Sequence, residues 1–160
     1  MIHLLRTDSD NPDFQMLVQE LDKHLQSING DEQAFFTQFN ALNHLRHVIV
    51  AYGGDTVPVG DTAPVGCGAM KPYSASVGEI KRMFVREDCR GRGIAQGILA
   101  ELEALAKEEG CTSCILETSI HLDSAIKLYT KSGYVRIPNY GQYEGVKTSV
   151  CFQKNLLKIY

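Results

Sequence analysis

With 160 residues, 16 Lys and Arg against 19 Asp and Glu, and a net charge of −3, the chain suits one domain spanning residues 1–160 that buries about two-thirds of its unfolded surface. Its basic residues form no block, which argues against a nucleic-acid partner, and no apolar run is long enough to span a bilayer. The start, MIHLLRTDSD, lacks the long apolar segment of a signal peptide, so a cytoplasmic protein is expected. The odd set of five cysteines, Cys67, Cys89, Cys111, Cys114 and Cys151, then reads as reduced thiols. Cys111-Thr-Ser-Cys114 has redox spacing but enters an apolar strand instead of opening a helix, so its cysteines read as buried strand residues. His44-x-x-His47 has no acidic or cysteine company, and no metal is expected.

In chain order, Ile2 to Arg6 reads as a first strand, and Asp10-Asn11-Pro12 opens a helix with a capping side chain and a proline in the first turn. Phe14, Leu17, Val18, Leu21, Leu25 and Ile28 are its buried stripe, and Asn29-Gly30-Asp31 ends it. Phe35, Phe36, Phe39 and Leu42 predict a second, shorter helix whose aromatics serve either the core or one wall of a substrate pocket. His47 to Tyr52 and Val65 to Tyr73 predict two strands joined by the Gly/Pro/Asp-rich loop GGDTVPVGDTAP, and Ser76 to Val85 continues the meander. A helix over Gly93–Glu109 crosses over, and Thr112 to Thr118 returns as a strand parallel to its predecessor. Asp123 to Ser132 is the last helix, Tyr134 to Ile137 a strand, Pro138 onward a loop, and Thr148 to Lys154 the closing strand.

The densest information lies from Glu79 to Glu109. A strand, Glu79-Ile80-Lys81-Arg82-Met83-Phe84-Val85, runs into a solvated turn at Arg86, Glu87 and Asp88. Ile94, Ile98, Leu99, Leu102, Leu105 and Ala106 then recur at helical steps, and Gly110 closes that helix. Between them stands Arg90-Gly91-Arg92-Gly93-Ile94-Ala95, where glycines expose the unpartnered N–H groups of a helix start and arginines add positive charge. Such a terminus suits a diphosphate. A triphosphate-binding loop needs Gly-Lys-Ser/Thr where this chain has Gly-Ile-Ala. A dinucleotide fold has Gly91, Gly93, Gly97 and Glu117 to offer, but the polar stretch from Arg86 to Arg90 separates strand from glycine. A plain helix start wearing arginines for solubility leaves the Arg-x-x-Gly-x-Ala spacing unexplained.

That spacing, Arg90-x-x-Gly93-x-Ala95 between the strand EIKRMFV and the helix IAQGILAELEALAKEE, resembles the acetyl-coenzyme A loop of the GNAT superfamily of N-acetyltransferases. Downstream, Ser124-Ala125-Ile126-Lys127-Leu128-Tyr129-Thr130-Lys131-Ser132-Gly133-Tyr134 resembles that family's second signature, and Arg136 to Tyr143 is similar to a stretch in a subgroup of small bacterial members. The resemblance is strong from Val77 to Tyr134. It implies a mixed α/β fold of order β-α-α-β-β-β-α-β-α-β-β, with a central, mostly antiparallel sheet of about six to seven strands and helices on both faces. It also implies acetyl transfer from acetyl-coenzyme A to a primary amine of a small molecule or amino acid, with no metal. A homodimer is left open.

Acyl transfer from a thioester to an amine needs a held donor, removal of a proton from the ammonium and a proton for the departing thiolate. By the resemblance, the N–H groups of Arg90, Gly91, Arg92, Gly93, Ile94 and Ala95 hold the diphosphate, and the backbone at Phe84 and Val85 pairs with the pantetheine arm. Glu79 is the expected base, with Glu117 and His121 as rivals; its alternative role is an ion pair with Lys81 or Arg82. Tyr129 is the expected acid, with simple packing as its alternative. Where many members carry an asparagine that contacts the donor's arm, this chain has Leu122, so that hydrogen bond is either lost or supplied by Ser124. Tyr140 and Tyr143 are placed at the acceptor pocket. An acyl-coenzyme A sensor without turnover, or an acetyltransferase of protein amines, are the competing functions.

Overall fold

The computed structural model describes residues 2–30, 44–53 and 63–157; the helix expected around Phe35 to Leu42 and most of the loop after Gly53 lie outside them. The strands are β1 (Ile2–Thr7), β2 (His47–Gly53), β3 (Pro64–Pro72), β4 (Val77–Val85), β5 (Ser113–Ser119), β6 (Val135–Ile137) and β7 (Ser149–Asn155). The helices are α1 (Pro12–Asn29), α2 (Ile94–Glu108) and α3 (Asp123–Lys131), with short 3-10 turns at Glu87–Cys89 and Gly141–Tyr143. The strands form one sheet in the order β1-β2-β3-β4-β5-β7-β6, in which β4 and β5 are parallel and the other pairs antiparallel. This is the mixed α/β architecture expected from the sequence.

Local chemistry accounts for most boundaries. The Asn11 side chain accepts hydrogen bonds from the N–H groups of Asp13 (2.9 Å) and Phe14 (3.0 Å), and Pro12 occupies the first turn, where no donor is needed. Alternation along the strands then assigns the two faces. Val48 and Val50 of β2 pack with Phe14, Leu17 and Val18 of α1, whereas Ile49 and Ala51 pack with Ile98, Leu99 and Leu102 of α2 on the opposite face. Tyr129 of α3 joins the α2 side, so helices cover both faces.

The last strand in sequence is not at the edge. β7 inserts between β5 and β6 because Val150, Cys151 and Phe152 are buried in succession, a pattern that fits a strand covered on both faces. Short β6, with Val135 64% exposed, takes the edge.

A register slip in the middle of the sheet positions everything that follows. Cys67 opposes Phe84 and Ala69 opposes Lys81, so the single residue Gly68 on β3 faces two on β4, Arg82 and Met83. This is a β-bulge, and Arg82 is driven to φ 59° to make it. The extra residue bends β4, which pairs with β5 only from Val77–Ser113 to Glu79–Ile115; beyond that the two strands part. Close packing holds the bulge: a Cβ on residue 68 would lie 2.6 Å from Met83 Sδ and 2.9 Å from both Ile98 Cγ2 and Leu102 Cδ1. Gly68→Ala is therefore expected to destabilise the fold by about 1–3 kcal/mol, the usual cost of overpacking. Chemical denaturation would check this, and an unchanged midpoint would mean that the bulge is held by something else.

Candidate active site

The wedge between β4 and β5 opens into a cleft of about 130 Å³. On the face covered by α1, strand alternation brings Glu79 and Lys81 of β4 beside Glu117 of β5, with Leu21 and Leu25 of α1 opposite. From the other face, Tyr129 of α3 and Leu122, the residue before α3, reach the same cleft. The wedge is where the two layers communicate.

Glu79 is 3% exposed and well supplied with partners. The Tyr140 hydroxyl donates to its Oε2 at 2.6 Å, and the ammonium groups of Lys71 and Lys81 lie 3.8 and 3.7 Å from its Oε1. Lys71 is there because it stands directly across from Glu79 in the β3–β4 register, and Lys81 because it follows two residues later on the same face. The ion pair expected with Lys81 is present; Arg82 instead binds Asp22 of α1 at 2.8 Å. Burial pulls the Lys81 ammonium below its usual range, with the Glu79 carboxylate opposing that shift.

Glu117 has a different setting. Burial pushes its carboxyl above the usual range, although Ser149 donates to Oε2 at 2.6 Å and Lys81 is near. His121 is exposed and does not line the cleft. Of the three carboxylate and imidazole candidates, the cleft gathers Glu79 and Glu117.

The loop after β6 is tied down by one side chain. Asn139 Nδ2 donates to the carbonyls of Tyr143, Val146 and Ser149 at 3.0–3.1 Å, which fixes the loop beside the cleft. Tyr140 and Tyr143 meet edge to face at 5.6 Å, and Tyr73 packs on Tyr140 at 5.3 Å. Tyr143 lines the cleft and Tyr140 reaches it through Glu79. The aromatic tail of this loop was legible in the sequence; its link to Glu79 was not, because 61 residues separate the partners.

Tyr129 is 6% exposed, its ring 5.9 Å from Tyr134 and 6.3 Å from Phe152. Burial, reinforced by the Glu117 carboxylate, pushes its phenol above the ordinary value, so it keeps its proton at neutral pH.

At the start of α2, Gly93 is the cap residue at φ 78° and Gly91 sits at φ 82°, both in the left-handed region where only glycine is at ease. No side chain caps this helix. A Cβ at Gly91 would meet nothing within 4 Å, and one at Gly93 only Gln96 Oε1 at 3.8 Å, so the backbone faces open space where a guest can approach it. Arg90 is exposed, but its Nε donates to the Val85 carbonyl at 3.0 Å and its guanidinium lies 5.9 Å from the Phe84 ring centre. Arg92 and Ser124 are exposed, and Phe84 and Val85 are buried at the end of β4. Among the described residues, the five cysteines are unbridged and buried, with burial pushing the Cys67 and Cys114 thiols up to about 12. No helix there is long and apolar enough to cross a membrane.

Residues 11–134 match the model of the acetyltransferase (GNAT) family. The chain belongs to that family. It is accordingly an acyltransferase. An IAA acetyltransferase of Azospirillum brasilense is 29% identical over 143 residues, 88% of each chain. A Klebsiella pneumoniae structure classed as an acyl-CoA N-acyltransferase superposes with a TM-score of 0.76 at 28% identity, covering 98% of this chain and 99% of that one. A Bacillus anthracis chain classed as a streptothricin acetyltransferase, solved in complex with acetyl coenzyme A, shares the fold at a TM-score of 0.57 and 19% identity, over 69% of this chain and 62% of that one.

The raised Glu117 carboxyl has a consequence for stability. A folded-state value above the ordinary 4.5 means that the folded chain holds this proton more tightly than the unfolded chain. The favourable contribution is complete below the unfolded value and is lost as pH rises through the folded one. Glu117→Gln removes that titration, so its melting temperature is expected to gain on that of wild type between pH 4 and pH 7. Parallel melting curves across this range would show that Glu117 titrates alike in both states.

Proposed function

We propose that the chain, acting as a single domain over residues 1–160 in the cytoplasm, transfers the acetyl group of acetyl coenzyme A to the primary amine of a small molecule or amino acid. The observation that carries this reading is the juxtaposition in one wedge of a buried carboxylate, Glu79, and a buried phenol, Tyr129, in a chain that also has an uncapped helix start built on Gly91 and Gly93. Family membership and the Bacillus anthracis complex support acetyl coenzyme A as the donor.

The residues present fit that donor. The N–H groups around Arg90, Gly91, Arg92, Gly93, Ile94 and Ala95 are assigned to its diphosphate, favoured by the helix dipole and by two glycines that leave the backbone uncovered. The edge of β4 that parts from β5, ending at Phe84 and Val85, is assigned to the pantetheine arm, and Ser124 to the contact that Leu122 does not provide. Arg90, bound to Val85, acts as a brace for this corner instead of an outward clamp. When bound, the donor supplies a thioester, a carbonyl activated for attack by an amine. Glu79, directly or through a water, accepts a proton from the acceptor's ammonium, which frees the nitrogen lone pair. The C–N bond then forms as the C–S bond breaks, and Tyr129 gives its proton to the departing thiolate sulfur.

Two measurements test these assignments. Gly93→Val forces a β-branched residue to φ 78° and covers the helix start, so acetyl coenzyme A should bind at least several-fold more weakly in calorimetry; unchanged affinity of the folded variant would remove the diphosphate assignment. Activity is read as thiol release over an amine library. With an acceptor from that screen, Glu79→Gln should lower kcat by about 10²–10⁴ and Tyr129→Phe by about 10², both with donor affinity preserved. A Tyr129→Phe enzyme within about twofold of wild type would leave the ring in a packing role only.

A further inference from the structure

The acceptor side of the cleft carries both signs of charge in a fixed arrangement, which narrows what it can take. Two carboxylates, Glu79 and Glu117, and two cations, Lys81 and Arg82, line it, and the partly exposed Lys71 and Asp22 pair with Glu79 and Arg82 from its margin. Glu79 and Lys81 are 3.7 Å apart on one face of β4, Glu117 faces them from β5, and Arg82 is bound to Asp22 at the α1 side. Building on the acetyltransferase reading, we propose that the acceptor is a free amino acid, whose ammonium lies on Glu79 and Glu117 and whose α-carboxylate lies on Lys81.

Charge balance in a poorly solvated space carries the choice. A simple amine enters as an ammonium and adds an unbalanced cation beside Lys81, whose side chain is only 9% exposed. A zwitterion adds one charge of each sign, so the cleft stays balanced while both guest charges find partners. The geometry matches as well: neighbouring Glu79 and Lys81 present an acceptor and a donor side by side, as an amino acid presents a donor and an acceptor on adjoining atoms. Burial already pulls the Lys81 ammonium below its ordinary range, and a guest carboxylate would offset that desolvation. A peptide N-terminus or an amino-acid amide has no carboxylate at this place. On the opposite wall, Leu21 and Leu25 suit an apolar side chain.

The test compares kcat/KM, read as thiol release from acetyl coenzyme A, within two series: leucine, leucinamide and 3-methylbutylamine, and phenylalanine, phenylalaninamide and phenethylamine. The wild-type enzyme is expected to favour the free acid over both relatives by on the order of 10²-fold, because a site built for a charged partner rejects analogues that leave it unmatched. The amide, with the least basic amine of each series, controls for proton availability. In Lys81→Met the preference should collapse to within a few-fold, whereas Lys81→Arg, which keeps the charge, should retain it. A wild-type enzyme that uses the amine or the amide as well as the acid overturns this inference and leaves the acetyltransferase reading standing. Should no member of either series, nor any amine of a wider library, be acetylated, both fall together.

Discussion

One extra residue in β4 is the constraint on which the rest of the molecule depends. A regular ladder would have kept β4 and β5 paired to their ends and sealed the sheet. Instead Arg82 and Met83 share the place opposite Gly68, the strand bends, and pairing stops at Glu79–Ile115. Arg82 holds a backbone angle that a side-chain-bearing residue rarely adopts, a cost on the order of 1–3 kcal/mol that persists only because its surroundings enforce it. Those surroundings are visible: Met83, Ile98 and Leu102 press on Gly68, and Asp22 holds the Arg82 guanidinium. What the strain maintains is a stretch of strand edge with no neighbour in the interior of a seven-stranded sheet.

The polar groups that gather at this opening are held by links that are long in sequence and short in space. Glu79 is reached by Tyr140 from a loop, by Lys71 across the ladder and by Lys81 along its own strand. Glu117 is reached by Ser149 from β7. Removing a single partner from such a buried set leaves the remaining charge short of compensation, so the members stand or fall together. The loop that supplies Tyr140 is itself fixed by Asn139 through three carbonyls. Glu79 is thus positioned by the strands that carry it and its two lysines, and by a stapled loop.

Much of this was legible in the residues. The cap and proline at Asn11-Pro12, the period of α1 and α2, and the parallel return into β5 all follow from signals confined to a few turns of chain. The pairing of Glu79 with Lys81 also follows from strand alternation alone. The bulge did not announce itself, because its cause is the contact of Gly68 with side chains from β4 and α2, and a glycine in a strand says only that something approaches closely. The hydrogen bond from Arg90 to the Val85 carbonyl was hidden for a similar reason, because it depends on how the turn between them folds. Gly91 and Gly93 both occupy the left-handed region, which the glycine spacing alone does not tell. His121, the imidazole among the candidate bases, is left exposed by the turn after β5.

The wedge also explains why the proposed acid and base come from opposite layers. Glu79 and Glu117 point toward the face that α1 covers, whereas Tyr129 belongs to the packed layer of α2 and α3. A closed sheet would separate these groups by its full thickness, since successive side chains on a strand point to opposite sides. Where β4 leaves β5, that barrier is missing, and groups from both layers line a single cleft. In the proposed direct transfer the amine adds to the carbonyl carbon, and the thiolate leaves the resulting tetrahedral adduct as a different substituent. Base and acid then serve two different substituents of one carbon, the nitrogen and the sulfur, and a split in the sheet brings both within reach without either side chain leaving its own layer.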